Sequence, residues 1–153
     1  MKKYIALLLA VLMLCLAGCG GKDQTKNVID VQSVYDSMAD VLPEMLPMEG
    51  DMRLNMLGIK HEDCKQVYTY ICGEGLKADE VWLIEAADEA ALERIEGLAQ
   101  SRKTAKMDET SFYSPDQFAI CEDGRIISEG LYLAFIVSPE ADSLEAAFNE
   151  AVK

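Results

Sequence analysis

The chain has 153 residues, half of them hydrophobic and 7% aromatic, and 14 Lys and Arg stand against 27 Asp and Glu for a net charge of −13. That length suits one domain with a real core, and the apolar content excludes overall disorder. The acidity excludes nucleic acid as a partner, because a phosphate backbone repels it.

Met1-Lys2-Lys3 is a basic start, and Tyr4 to Leu16 is an unbroken apolar run. As a helix the run rises about 20 Å, too short for a bilayer core of about 30 Å. Residues 1–18 therefore read as a secreted protein's signal peptide. The run ends in Leu16-Ala17-Gly18-Cys19, which resembles a bacterial lipobox. In that motif small residues admit the peptidase, the Cys19 thiol takes a diacylglyceryl group of the palmitate type, and cleavage leaves Cys19 first. Two acyl chains hold firmly where one is marginal. The expected partner is thus the membrane, through a lipid on Cys19, with the protein facing outside the cytoplasm. Without Lys2 and Lys3, 12 basic residues remain against 27 acidic ones, a net charge of −15. Bilayer surfaces are also negative, so the domain is expected to stand off the membrane. Residues 19–30 read as a polar, flexible tether, of which residues 20–30 reach at most about 36 Å.

Asp30 is a good N-cap for a helix carrying Val31, Val34, Tyr35, Met38, Val41 and Leu42, stopped by Pro43. Residues 43–50 read as a loop with two prolines. Asp51 is placed to cap a short helix closed by Gly58. Val67–Cys72 is rich in β-formers and reads as a strand. After Gly73-Glu74-Gly75, Val81–Ile84 is a continuous apolar run and an inner strand. Asp88 caps a long helix with Leu92, Ile95, Leu98, Ala99 and Arg102 on one side. Phe118–Cys121 and Arg125–Ile127 flank Asp123-Gly124, the favoured two-residue hairpin signal. Glu129-Gly130 makes a second reversal into Leu131–Val137, another inner strand. Ser138, with Pro139 after it, caps a last helix with Ala141, Leu144, Ala147, Phe148 and Ala151 on its buried stripe. The expected fold is α+β: a mostly antiparallel sheet of about five strands with helices packed on one face, in a single domain over residues 31–153.

Three stretches, Asp79–Ala86, Phe112–Phe118 and Gly130–Ser138, together with the long helix, resemble the lipoprotein family catalogued as domain of unknown function 4358. The resemblance spans roughly residues 45–152. Its pieces are an edge-to-core strand, a Tyr-x-Pro-type loop and a Gly-x-Tyr strand entry. It implies a small secreted lipoprotein of Gram-positive bacteria and carries over no residue with a chemical role.

Candidate chemistry is sparse. His61 is the sole histidine, in His61-Glu62-Asp63-Cys64, and reads as part of a polar turn rather than a catalytic base. Glu80, Glu85, Glu122, Asp123 and Glu129 fall at strand ends or turns, too many to single out a catalytic pair. Trp82 lies in the most apolar strand and reads as core. Of five cysteines, Cys15 leaves with the signal and Cys19 is lipidated. Cys64, Cys72 and Cys121 remain, at least one of them free; a bridge between Cys72 and Cys121 on neighbouring strands is the feasible one.

Met45, Met48, Met52 and Met56 form the oddest feature. Flexible thioethers fill irregular gaps, serve adaptable partner grooves, or ligate Cu(I). The expected function is a membrane-tethered extracytoplasmic lipoprotein, a non-enzymatic binding or accessory module of the cell envelope with no cofactor. Its expected partner beyond the membrane is an envelope protein or a small molecule. The alternatives are a Cu(I)-handling lipoprotein using those four methionines, and a small envelope enzyme with an unrecognised site.

Overall fold

A computed structural model describes residues 29–153. Cys19, the signal segment 1–18 and the tether up to residue 28 lie outside the described residues. Asp30 does cap the first helix, α1 (Val31–Met38), its carboxylate accepting from the Gln32 N–H at 3.1 Å. A 3-10 turn over Ala39–Val41 ends it. Then follow β1 (Met45–Pro47), α2 (Gly50–Leu57), β2 (Cys64–Cys72), β3 (Glu80–Ala86), α3 (Glu89–Ser111), α4 (Pro115–Glu122), β4 (Arg125–Glu129), β5 (Tyr132–Val137) and α5 (Ala141–Ala151). Asp88 caps α3, accepting from the Ala91 N–H at 2.8 Å. Gly58 ends α2 in the left-handed conformation at φ +73°. The fold is α+β, with five strands in the order β1-β2-β3-β5-β4 and every neighbouring pair antiparallel.

Helices cover both faces of the sheet, not one. Every residue from Val81 to Ala86 and from Leu133 to Val137 is buried, so the two central strands need cover on each side. Trp82, Ile84, Leu133 and Phe135 pack with Ala91, Ile95 and Ala99 of α3, Cys121 of α4 and Leu57 of α2. Val81, Leu83, Ala134 and Ile136 point the other way, against Val31, Val34 and Met38 of α1 and Leu144 and Phe148 of α5. Trp82 is fully buried, as its strand implied, and meets its cross-strand partner Phe135 edge-on with ring centroids 4.8 Å apart.

Several local expectations fail. Residues Phe118–Cys121 are helical, not a strand. Ser114 caps α4 by accepting from the Gln117 N–H at 3.3 Å, Pro115 opens the first turn and Asp116 sits on it, and these start signals outweigh the β-forming side chains. Asp123-Gly124 is therefore the end of α4, and the hairpin is β4–β5, turning on Gly130 at φ +60°. Gly124 is required by space instead: a Cβ there would stand 3.0 Å from the Cys121 carbonyl and 3.1 Å from Val137 Cγ2. Met45–Pro47, expected as loop, pairs with Tyr70–Cys72 as an edge strand, where proline is tolerated. Finally, Asp51 lies inside the first turn of α2 rather than capping it, and α5 begins at Ala141, three residues after Ser138.

The two ends of the sheet differ. At one end Ile29 is pinned. Its N–H donates to the Tyr132 hydroxyl at 3.2 Å, and its carbonyl accepts from Gln66 Nε2 at 2.7 Å. Gln66 also donates to Glu85 at 2.7 Å. Ile29 thus lies beside the start of β5 and the end of β3. The other end carries the start of β3 and the far end of α3. That helix, 23 residues and so about 34 Å long, starts beside Ala86 and outruns the seven-residue β3, about 23 Å.

Candidate functional site

At the end of the sheet away from Ile29, a buried charged cluster holds α3 to β3. Glu80 faces the α3 side of the sheet and is wholly buried. Its carboxylate accepts from Trp82 Nε1 at 2.8 Å, from Arg102 Nε at 3.0 and 3.1 Å, and from Arg102 Nη2 at 2.7 Å. Lys106 Nζ lies 3.0 Å from the same carboxylate and donates to the Ala78 carbonyl at 2.8 Å. One carboxylate thus serves two cations in low dielectric, which holds only because donors fill its lone pairs. Burial pulls the Arg102 pKa down, but Glu80's hydrogen bond and charge outweigh it and leave that pKa raised. One turn on, Thr110 caps the Lys106 carbonyl at 2.7 Å and approaches Cys121 Sγ at 3.8 Å.

This cluster steadies a surface. The segment from Gly73 to Asp79 crosses the end of the sheet, and Ala78 is gripped on both sides: its carbonyl by Lys106, its N–H by Gln117 Oε1 at 2.7 Å. Leu76 stands on that segment at 76% exposure. Phe112 at 90% and Tyr113 at 50% stand on the turn between α3 and α4, just beyond Thr110. Burying such side chains on a partner is favourable, and their backbone is already ordered. A second set of exposed apolar residues, Leu46, Met52, Leu54 and Met56, lies along edge strand β1 and α2.

The sequence candidates scatter. Met48 is fully buried in the α3-side core, while Met45 packs, partly buried, against the core of the opposite face. Met52 and Met56 are the exposed pair, one helical turn apart on α2. The fold therefore does not bring the four thioethers together. Cys64, Cys72 and Cys121 are all free thiols, and Cys121 sits on α4 in the α3-side core rather than on a strand beside Cys72. Burial pushes the Cys64 thiol up to about 11, and burial likewise raises Cys121. His61 is exposed on a short 3-10 turn. Among the described residues no group of three His, Cys, Asp or Glu side chains is placed to hold a metal ion, and no helix is long and apolar enough to cross a membrane.

The Glu80 cluster itself was not foreseen. In the sequence Glu80 is one strand-end carboxylate among several, and its two cationic partners lie 22 and 26 residues downstream. A sequence signal did exist: Arg102 and Lys106 are one turn apart on the inner side of an otherwise polar stretch.

A family model described as a domain of unknown function (DUF4358) matches residues 37–138. The chain belongs to that family. No curated protein and no solved structure matches the chain. The DUF4358 segment takes in all five strands and α2 to α4, hence the Glu80 cluster and the Leu76–Phe112–Tyr113 surface. Helix α5 and most of α1 fall outside it.

Proposed function

We propose that this protein is an extracytoplasmic lipoprotein, anchored through a diacylglyceryl-modified Cys19, whose domain is a non-enzymatic binding module. One observation carries the reading. The chain enters the domain at Ile29, ten positions after Cys19, while Leu76, Phe112 and Tyr113 stand at the other end of the sheet. An anchored domain so arranged presents its exposed apolar end away from its attachment. The Leu16-Ala17-Gly18-Cys19 motif supports the anchor, and two acyl chains suffice for stable attachment. Mass spectrometry of the native protein is expected to find Cys19 as an acylated first residue, in the membrane fraction. Cys19→Ser is expected to stay unprocessed and unlabelled by a palmitate analogue. A soluble mature form beginning elsewhere would overturn the anchor.

A further inference from the structure

We infer that the occupant of the Leu76–Phe112–Tyr113 surface is a protein that offers an apolar pocket rimmed by basic residues. This deepens the binding-module reading and rests on it. Phe112 and Tyr113 are aromatics of the kind enriched at interfaces, on a turn where the Tyr113 N–H donates to the Thr110 carbonyl at 3.2 Å, and Leu76 adds apolar area two residues before Ala78, which Lys106 and Gln117 hold. Around them the exposed charge that lacks an ion-pair partner is acidic. Lys77 is neutralised by Glu74 at 2.8 Å. Asp108, Glu109 and Asp116 are exposed and make no salt bridge among the described residues. An acidic rim around an aromatic centre fits a basic rim around a pocket, which also speeds encounter. The same rim opposes the two other occupants. Anionic headgroups would meet three carboxylates of like sign, and a second copy of this chain would bring an identical acidic end.

The test uses the full-length protein in its own cells, with the photoreactive residue p-benzoylphenylalanine replacing Phe112 and, as a control, replacing the exposed Glu129 at the Ile29 end. Cys19 acylation is read from the same cells, so loss of the anchor is distinguished from loss of the docking surface. The expected result is one discrete adduct with another protein from position 112 and none from 129. The Asp108→Lys/Asp116→Lys variant, folded by circular dichroism, is expected to cut its yield at least tenfold. The adduct's protein, identified by mass spectrometry and purified, is expected to bind wild type at low salt. That binding is expected to weaken at least tenfold in 0.5 M NaCl, as screening requires, and at least tenfold in Phe112→Ser. Cross-links to phospholipid would assign the surface to the membrane, and an adduct of twice the chain's mass would assign it to a second copy. Either result, no adduct at all, or an adduct indifferent to the acidic rim would overturn the inference.

Discussion

Replacing Glu80 by Gln tests the cluster on which the far end of the molecule rests. The two side chains are nearly the same shape, so packing around Trp82 is preserved. What changes is charge. The amide oxygen still accepts one hydrogen bond, but its NH2 group faces a cation, and Arg102 and Lys106 lose their counter-ion. Lys106 cannot recover solvent, since its side chain is 6% exposed, whereas Arg102 at 18% recovers some. Removing one partner of a buried pair costs about 3–5 kcal/mol, and a nearly sealed lysine places this variant in the middle of that range, about 4 kcal/mol. That is a large share of a domain stability of about 5–15 kcal/mol. At about 3–5 °C per kcal/mol for a domain of this size, the midpoint is expected to fall by about 10–20 °C. Urea unfolding followed by circular dichroism and by the emission of Trp82, the only tryptophan, measures the loss beside Glu80 itself. Adding Lys106→Met to the Gln variant removes the stranded ammonium and is expected to restore at least half of the loss. A loss below about 1 kcal/mol, or a double variant no more stable than the single, would refute the argument that Glu80 holds two buried charges.

Two more predictions follow from burial. Asp79 is buried with Oδ1 lacking a partner, and burial raises its pKa, against weaker opposing effects from a Ser138 hydrogen bond, Lys77 and Lys106. A carboxyl whose folded pKa lies above its unfolded one favours the fold at low pH, and that contribution is lost as pH rises through the folded pKa. Asp79→Asn is therefore expected to raise the thermal midpoint at pH 7, with the gain disappearing as pH falls through the carboxylate range; a gain constant with pH would contradict this. Among the methionines, Met48→Leu is expected to cost under about 1.5 kcal/mol, Met48→Ala about 2–5 kcal/mol, and Met52→Leu or Met56→Leu under about 0.5 kcal/mol. Stoichiometric Cu(I) binding by wild type that vanishes when Met45, Met48, Met52 and Met56 are all Leu would overturn their placement apart.

Where a feature depends on neighbours in sequence, the residues alone declare it. Asp30 and Asp88 read as caps because an N-cap needs only a side-chain oxygen and the N–H two or three residues on. Gly58 reads as a helix end and Gly130 as a reversal because positive φ is cheap only for glycine. Val81–Ile84 and Leu131–Val137 read as inner strands because an unbroken apolar run can be buried on both sides. The same reasoning missed α4, where the start signal Ser114-Pro115-Asp116 competes with the β-forming Phe118, Ile120 and Cys121 and prevails. Tertiary structure alone decided the rest. A strand as short as β1 exists only through its pairing with Tyr70–Cys72. The second helical layer exists because α1 and α5, far apart in sequence, meet on one face. Glu80 becomes a buried counter-ion only when α3 swings Arg102 and Lys106 over the end of β3, and Leu76 comes to the same end of the molecule as Phe112 only through Ala78's bonds to α3 and α4. Local chemistry carries no record of a contact whose two halves are separated by a whole helix.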